Sequence, residues 1–449
     1  MSLARQSAVT FVTRMTISLI NVPISIIIAR GLGAAGQGLY ASAITFPDMC
    51  TGIGLLGLDA GHLYFVSRDR RNLGPAVANS LLILLVFGAL LLPLYGLLAG
   101  PLSGGKGEAF RPYIWLSAIV VPMIAGRLLT LNLMLGLGRI ESYNGFQLIT
   151  QLALLVLVAL GVRVAHGGTR LVIALYLVSQ VLFLALAFFW MRRTLNAADR
   201  QQLKPSRALF RESLLYGLRG HPGMVLNMFG NRFSMIFILR WLGAAAQGYY
   251  WIAIVLAEKL SHIATSVQTV LLPRIAASSR EQADRLTPVV CRLTFLTVLV
   301  AATALFLLGR FFLVLFYSEA YLPALAAFRL LVPGIAALTI SNVLSSDFSG
   351  RNRRGLLTLA MAFGYSINLT LCILLIRRQG IAGAALAATV SYVAQSALMM
   401  ILFWRITGIP PLKLIVPERQ DLELGRALLA RGLARARRKG AGSTGGSAA

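Results

Sequence analysis

Residues Arg30–Ile44 read RGLGAAGQGLYASAI, and residues Arg240–Ile254 read RWLGAAAQGYYWIAI. Ten of the fifteen positions are identical at a constant offset of 210. Around both copies the chain is a series of apolar segments, so it reads as two copies of one membrane unit joined end to end. This feature constrains the fold more than any single residue does. Fused repeats around a central cavity are a common way to build a transporter.

Only 13% of the 449 residues are charged, about half the usual share of a soluble domain, and 57% are hydrophobic. Twelve stretches are predicted to span a bilayer, which takes roughly 20 residues each. They are 8–30, 38–64, 76–99, 112–136, 144–163, 170–191, 212–239, 247–272, 287–308, 322–346, 355–376 and 381–405. No large soluble domain fits in the remainder. The first stretch is longer than a signal-peptide core and has no convincing small-residue cleavage site, so a cleavable leader is not expected. Six spans per repeat leave both copies in the same orientation, as parallel repeats. The expected fold is an all-α polytopic membrane protein with two six-helix lobes around a central cavity. Its parts are an N-terminal lobe (1–191), a basic linker (192–211), a C-terminal lobe (212–405) and a basic tail (406–449).

The net charge of +27 would point to nucleic acid in a soluble protein. Here most of the charge lies in the gaps between apolar segments, which is the pattern of positive-inside loops, and no nucleic-acid partner is expected. The richer loops hold Arg68, Arg70 and Arg71, the 192–211 segment, and Arg351, Arg353 and Arg354. Placing them in the cytoplasm puts both termini there too. In the tail, leucines from Leu422 to Leu433 alternate with arginines from Arg426 to Arg438, which suits a basic amphipathic helix on anionic lipid. Such a helix serves either as a topology anchor or as a regulatory surface. Cys50, Cys291 and Cys372 lie inside apolar segments without metal-ligand spacing and read as packing residues.

Several charges fall inside the spans. Arg14 is in the first, Asp48 and Asp59 in the second, Arg127 in the fourth and Arg232 in the seventh. Glu258 and Lys259 are in the eighth, Arg292 in the ninth and Arg329 in the tenth. Each costs roughly 2.5–3.5 kcal/mol at a helix centre, so several together need a wet or paired interior. Asp59, Arg292 and Arg329 sit nearer span ends, where snorkelling or a structural ion pair accounts for them. Arg14, Ser18, Asn21 and Ser25 fall at spacings of 4, 3 and 4 on one helix face and are expected to line a hydrated cavity. The seventh span offers Asn227, Asn231 and Ser234 at spacings of 4 and 3.

The offset of 210 pairs Asn21 with Asn231 and Asp48 with Glu258. A carboxylate at that place either holds an arginine or serves as a protonatable coupling site. Lys259 cannot share the face of Glu258 but can reach a neighbouring span. The arginines do not pair: Arg14 maps to Met224 and Arg232 to Val22. Basic groups exceed acidic ones in these spans, and a guanidinium matches phosphate oxygens with its planar fork of donors. An anionic substrate is therefore expected. There is no P-loop, zinc motif or Ser-His-Asp arrangement, and the four histidines are scattered, so neither an enzymatic activity nor a cofactor is expected.

Three motifs carry a resemblance. They are ARGLGAAGQGLYA at Ala29–Ala41, AEKL at Ala257–Leu260 leading to LLPRIA at Leu271–Ala276, and GIAGAALAATVSY at Gly380–Tyr392. With the span count and the duplication, the chain resembles the polysaccharide-transport family of bacterial flippases, the O-antigen or Wzx type. That family lies within the multidrug/oligosaccharidyl-lipid/polysaccharide (MOP) exporter superfamily. The resemblance covers roughly residues 5–405. It implies alternating access and a polyprenyl-pyrophosphate-linked oligosaccharide moved from the cytoplasmic to the periplasmic leaflet of the bacterial inner membrane. It also implies cationic cavity residues for the pyrophosphate, a role assigned to Arg14, Arg127 and Arg232. Asn21, Asn227, Asn231 and the serines would then hydrogen-bond sugar hydroxyls. The glycan-polymerase machinery is an expected partner. The chain departs from lipid II flippases, which usually carry two more spans, and it lacks the acidic first-span residue of many drug exporters. The rival expectations are a cation-coupled drug antiporter on the same fold and a membrane scaffold for glycan synthesis.

Overall fold

The computed structural model describes the backbone of residues 3–418 except positions 103 and 165. Side chains are described over that range except at 3–8, 87, 98–99, 101–103, 164–165, 227, 229–231, 269–270 and 273. The amphipathic helix expected at 420–439 lies outside the described residues.

Among the described residues there are helices and no strands. The first half contains α1 (Leu3–Gly54), α2 (Leu58–Arg68), α3 (Leu73–Leu102), α4 (Ile114–Ala118), α5 (Val120–Gly136), α6 (Ile140–Ala159) and α7 (Thr169–Thr194). After the short α8 (Ala197–Gln201) come α9 (Arg207–Leu242), α10 (Ala244–Ala257), α11 (Ser261–Ala277) and α12 (Arg280–Tyr317). The series ends with α13 (Ala324–Gly350) and α14 (Arg354–Thr407).

All twelve predicted segments are helical. Seven of the described helices are long and apolar enough to cross a membrane, or eight when Gly105–Ala118 and Val120–Gly136, bent by 47°, count as one span. The difference from twelve has physical causes. At about 1.5 Å per residue, the 52-residue α1 and the 54-residue α14 would each be more than twice the ~30 Å hydrocarbon thickness. Each is broken at a glycine: α1 at Gly33 (φ 67°, ψ −176°), where it joins the first predicted segment to the part of the second that ends at Gly54, the rest lying in α2, and α14 at Gly380 (φ 62°, ψ −140°), where it holds two predicted segments. The segment at 247–272 is divided between α10 and α11 by a 3-10 turn at Glu258–Leu260.

The repeated motif explains itself at the backbone. Gly243, the mate of Gly33, separates α9 from α10 with φ 91° and ψ −178°. Side chains almost never adopt that region, so glycine is required in both copies. Five residues on, the two copies meet. A Cβ on Gly38 would collide with the carbonyl oxygen of Ala244, and one on Gly248 would collide with that of Ala34. Ala34-xxx-Gly38 and Ala244-xxx-Gly248 thus form a reciprocal small-residue crossing at which two membrane helices touch backbone to backbone. Gln37 and Gln247 are fully buried beside it, and neither amide has a hydrogen-bond partner among the described residues.

The chain forms two compact units that cut across the repeat boundary. One runs as far as Leu256 and takes in Leu308–Leu331 and Met361–Ser391. Its core includes Ile28, Phe46, Phe110, Val121, Ile124, Val158 and Leu239. Here α1 is tied to the end of α12: Tyr321 Oη donates to the Ala29 carbonyl (3.1 Å) and Arg30 Nε to that of Phe316 (2.9 Å). The predicted linker is ordered in this unit. Asn196 and Asp199 form a capping box for α8, Arg70 pairs with Asp199 at 3.0 Å, and Asn79 bonds the backbone of Ser206 in both directions. On the outside, α3 exposes Leu85, Leu90 and Leu97. Such an apolar face suits hydrocarbon as solvent.

The other unit holds Ala257–Leu307, Val332–Ala360 and the chain from Tyr392. Its core includes Cys291, Leu344, Phe348, Met399, Phe403 and Leu414. A buried charge network closes it. Arg351 bonds the carboxylate of Asp347 one turn earlier and reaches Asp284 at 2.7 Å, while Thr287 donates to Asp347 at 3.3 Å. Arg292, predicted to have a structural explanation near its span end, is buried and donates to the Lys413 carbonyl at 2.7 Å. It fixes the turn at Pro411–Leu414, where Leu414 is fully buried.

Candidate functional site

Within the first unit, three helices bring charge together. Asp48 is on the second half of α1, Arg127 in the middle of α5 and Arg232 on α9. All three side chains are half-buried. Both guanidiniums act electrostatically on the Asp48 carboxylate. Tyr176 on α7 is within reach of the charges of Asp48 and Arg127, and its ring meets that of Tyr40 edge-on at 6.2 Å. The Arg232 guanidinium lies 5.7 Å from the ring centroid of Trp251 on α10, in cation–π range.

The arrangement has two cations for one anion, so it retains a positive surplus. Arg127 Nε is buried with no acceptor among the described residues. Leaving such a donor unmade costs ~1–3 kcal/mol, more for a charged group. A guanidinium with a free donor beside a second guanidinium is equipped to bind an oxyanion such as a phosphate.

The other predicted site residues are distributed differently. Arg14 is exposed on the first half of α1, and no described contact joins it to Arg127 or Arg232. Ser18 is half-buried. Asn21 is exposed and accepts a hydrogen bond from Gln151 on α6 at 2.7 Å. Ser25 is buried and bonded to Tyr317 Oη at 3.2 Å, so its hydroxyl is engaged within the protein. Asn227 and Asn231 lie on α9, but their side chains fall outside the described residues. Glu258, exposed, and Lys259, half-buried, form the 3-10 turn between α10 and α11 and belong to the second compact unit. Asp48, the repeat mate of Glu258, stays in continuous helix in the first. Arg329 is exposed on α13.

Reading single spans for polar residues passed over Tyr176 and Trp251, because aromatic residues are common in any span. It also passed over Gln37 and Gln247, although they stand inside the repeated motif. Two matched amides in an apolar stretch were the available signal.

The fold has known relatives. It superposes on an inward-facing multidrug resistance MATE family transporter of the MOP superfamily with a TM-score of 0.71, at 17% identity, over 88% of this chain and 97% of that one. For the lipid II flippase MurJ in an inward closed conformation the TM-score is 0.70, at 14% identity, over 88% and 87%. A MOP superfamily transporter from Pyrococcus furiosus, described as having a binding pocket of reverse polarity, gives 0.57 at 16% identity, over 90% and 94%. No curated protein matches the chain at a significant level. Residues 3–279, more than half of the chain, match the polysaccharide biosynthesis protein family, and on that match the chain belongs to this family, built on the fold of MOP superfamily transporters.

Proposed function

We propose that the protein is a flippase that moves a polyprenyl-pyrophosphate-linked oligosaccharide from the cytoplasmic to the periplasmic leaflet. The observation that carries this reading is the pairing of Arg127 and Arg232 around a single carboxylate, Asp48, with a buried Arg127 donor left unused. The pyrophosphate binds the two guanidiniums, and Asp48 orients them between substrates. Arg14 receives the headgroup from the cytoplasmic side. Asn21, Asn227, Asn231 and Ser18 contact the sugars. Ser25 contributes only when its bond to Tyr317 opens. The polyprenyl tail stays in lipid while two six-helix lobes rock about the site. Glu258 and Lys259 remain candidates for coupling or for an ion pair. Both termini lie in the cytoplasm, where anionic lipid and the glycan-polymerase machinery are the partners of the basic tail.

Family membership and the fold support a transport role. The positive surplus favours an anionic headgroup over the cationic drugs that a multidrug exporter would carry. The test is to replace Arg127 or Arg232 by Ala and follow the lipid-linked intermediate. Each variant is expected to reach the membrane at normal levels, accumulate the intermediate on the cytoplasmic leaflet and lose at least about tenfold of the polymer, as removal of one charge-assisted contact of ~1.5–3 kcal/mol predicts. Arg→Lys should restore little, because an ammonium lacks the planar fork. Normal polymer in both variants, or altered dye efflux with normal polymer, overturns the reading.

A further inference from the structure

The exposed side chains on the first half of α1 are of two kinds. Val12 and Leu19 are apolar and 60% and 70% exposed, whereas Arg14 and Asn21 are polar and exposed. Leu19 and Asn21 are two residues apart, about 200° around a helix, so they face opposite sides. Val12 and Arg14 repeat this seven residues earlier. The apolar side suits hydrocarbon, and the polar side, which Ser18 shares, suits water. The neighbouring α6 is divided in the same way. Ile149, Leu152 and Val156 are exposed at spacings of 3 and 4, and Asn144, Gln147 and Gln151 occupy the other side at the same spacings.

The two polar sides meet. Asn144 is buried and donates to Thr10 Oγ1 at 3.1 Å, and further along Gln151 Nε2 donates to Asn21 Oδ1 at 2.7 Å. A Cβ on Gly31 would strike Val162, in the turn that follows α6, so the contact continues past both bonds. The Asn144 bond is enclosed between the helices and serves packing. The Gln151 bond is open, with Asn21 exposed and Gln151 half-buried. It uses one N–H and one lone pair. The Asn21 Nδ2 N–H groups and the Gln151 Oε1 have no other partner among the described residues. Turning both amides over would still leave one donor and one acceptor.

The pair therefore presents a donor and an acceptor side by side on the polar face, two turns from Arg14. A phosphate calls for donors alone, and a cation for acceptors alone. A hydroxyl does both, and two hydroxyls on neighbouring ring carbons of a sugar meet a donor and an acceptor together. We propose that Asn21 and Gln151 form a dyad that reads a pair of adjacent sugar hydroxyls in the transported headgroup, with Gln151 a specificity-determining residue supplied by α6. This rests on the flippase reading, in which Arg127 and Arg232 hold the pyrophosphate. The division of labour follows from the chemistry: the arginines grip the end common to every such lipid, and the dyad sorts among sugars. A sugar that lacks one hydroxyl of the pair displaces water from an amide and returns no hydrogen bond to it.

The experiment uses the full chain in lipid nanodiscs and competition against tritiated polyprenyl pyrophosphate, which carries no sugar. The competitors are polyprenyl-pyrophosphoryl glucose and its 3-deoxy analogue, in which no two free ring hydroxyls are adjacent. Wild type should bind the glucose compound about three- to tenfold more tightly than the analogue. In Gln151→Met and in Asn21→Leu the ratio should fall to about one, since each removes half of the dyad. Asn144→Leu, which breaks the enclosed bond between the same two helices, should keep the wild-type ratio and so separates reading from packing. Equal affinities in wild type, a ratio that survives in both dyad variants, or its equal loss in Asn144→Leu overturns the proposal and leaves the flippase reading standing. A wild-type protein that binds no polyprenyl pyrophosphate at all overturns the flippase reading itself.

Discussion

Gly33 and Gly243 break their helices at similar angles, and five residues later Gly38 and Gly248 bring the two copies of the motif into reciprocal backbone contact. Ten residues beyond that crossing the copies part. Asp48 remains in continuous helix between two arginines, whereas Glu258 opens a 3-10 turn and belongs to the other compact unit. The same divergence appears where Gly138-Arg139 and Gly350-Arg351 correspond at an offset of 212. Arg139 is exposed, while Arg351 is half-buried and paired with Asp347 and Asp284. What the copies share is a backbone requirement that only glycine meets. What they do not share is the partners of their charges, because those partners come from other helices. A duplicated scaffold can therefore carry an asymmetric site, which suits a substrate with one charged end.

The comparison can be broken at its symmetric part first. Gly38→Leu and Gly248→Leu should each abolish recovery of folded protein from the membrane, since the side chain would meet a backbone that cannot retreat cheaply. Equal loss in both is the expected result on size-exclusion chromatography, and a tolerated substitution in either would remove the reciprocal crossing. The asymmetric part comes next. Arg351→Ala leaves the buried Asp347 carboxylate without its counter-ion and should cost ~3–5 kcal/mol in denaturant unfolding. Arg139→Ala, its counterpart, should stay within ~0.5 kcal/mol. Similar costs for the two arginines would contradict the divergence of the loops. The smallest effect is at the breaks. Gly33→Ala and Gly243→Ala should each destabilise by ~1–3 kcal/mol and by similar amounts, measured the same way, because both glycines adopt a conformation that alanine enters only with strain.

Much of the fold was legible before any coordinates. The twelve apolar segments are all helical, and the break at Gly33 falls inside the repeated motif that marks the duplication. The structured linker was less legible. Its length argued against a separate domain, but the capping box of Asn196 and Asp199 and the pairing of Asp199 with Arg70 join parts of the chain 129 residues apart. The charged spans gave the candidate residues one by one. They did not say that Arg127 and Arg232 converge on Asp48 while no described contact brings Arg14 to them, nor that Ser25 is taken up by Tyr317, 292 residues away.

The sequence by itself determined that this is a helical membrane protein with a repeated motif, and roughly where its helices run; the structure showed which glycines of that motif break or cross them. These are consequences of local sterics and of burying apolar length in lipid, and both are written in neighbouring residues. Tertiary structure alone decided which buried charges share a site. Electrostatic partnership depends on distance in space, and a span taken alone carries no record of which helix will lie beside it.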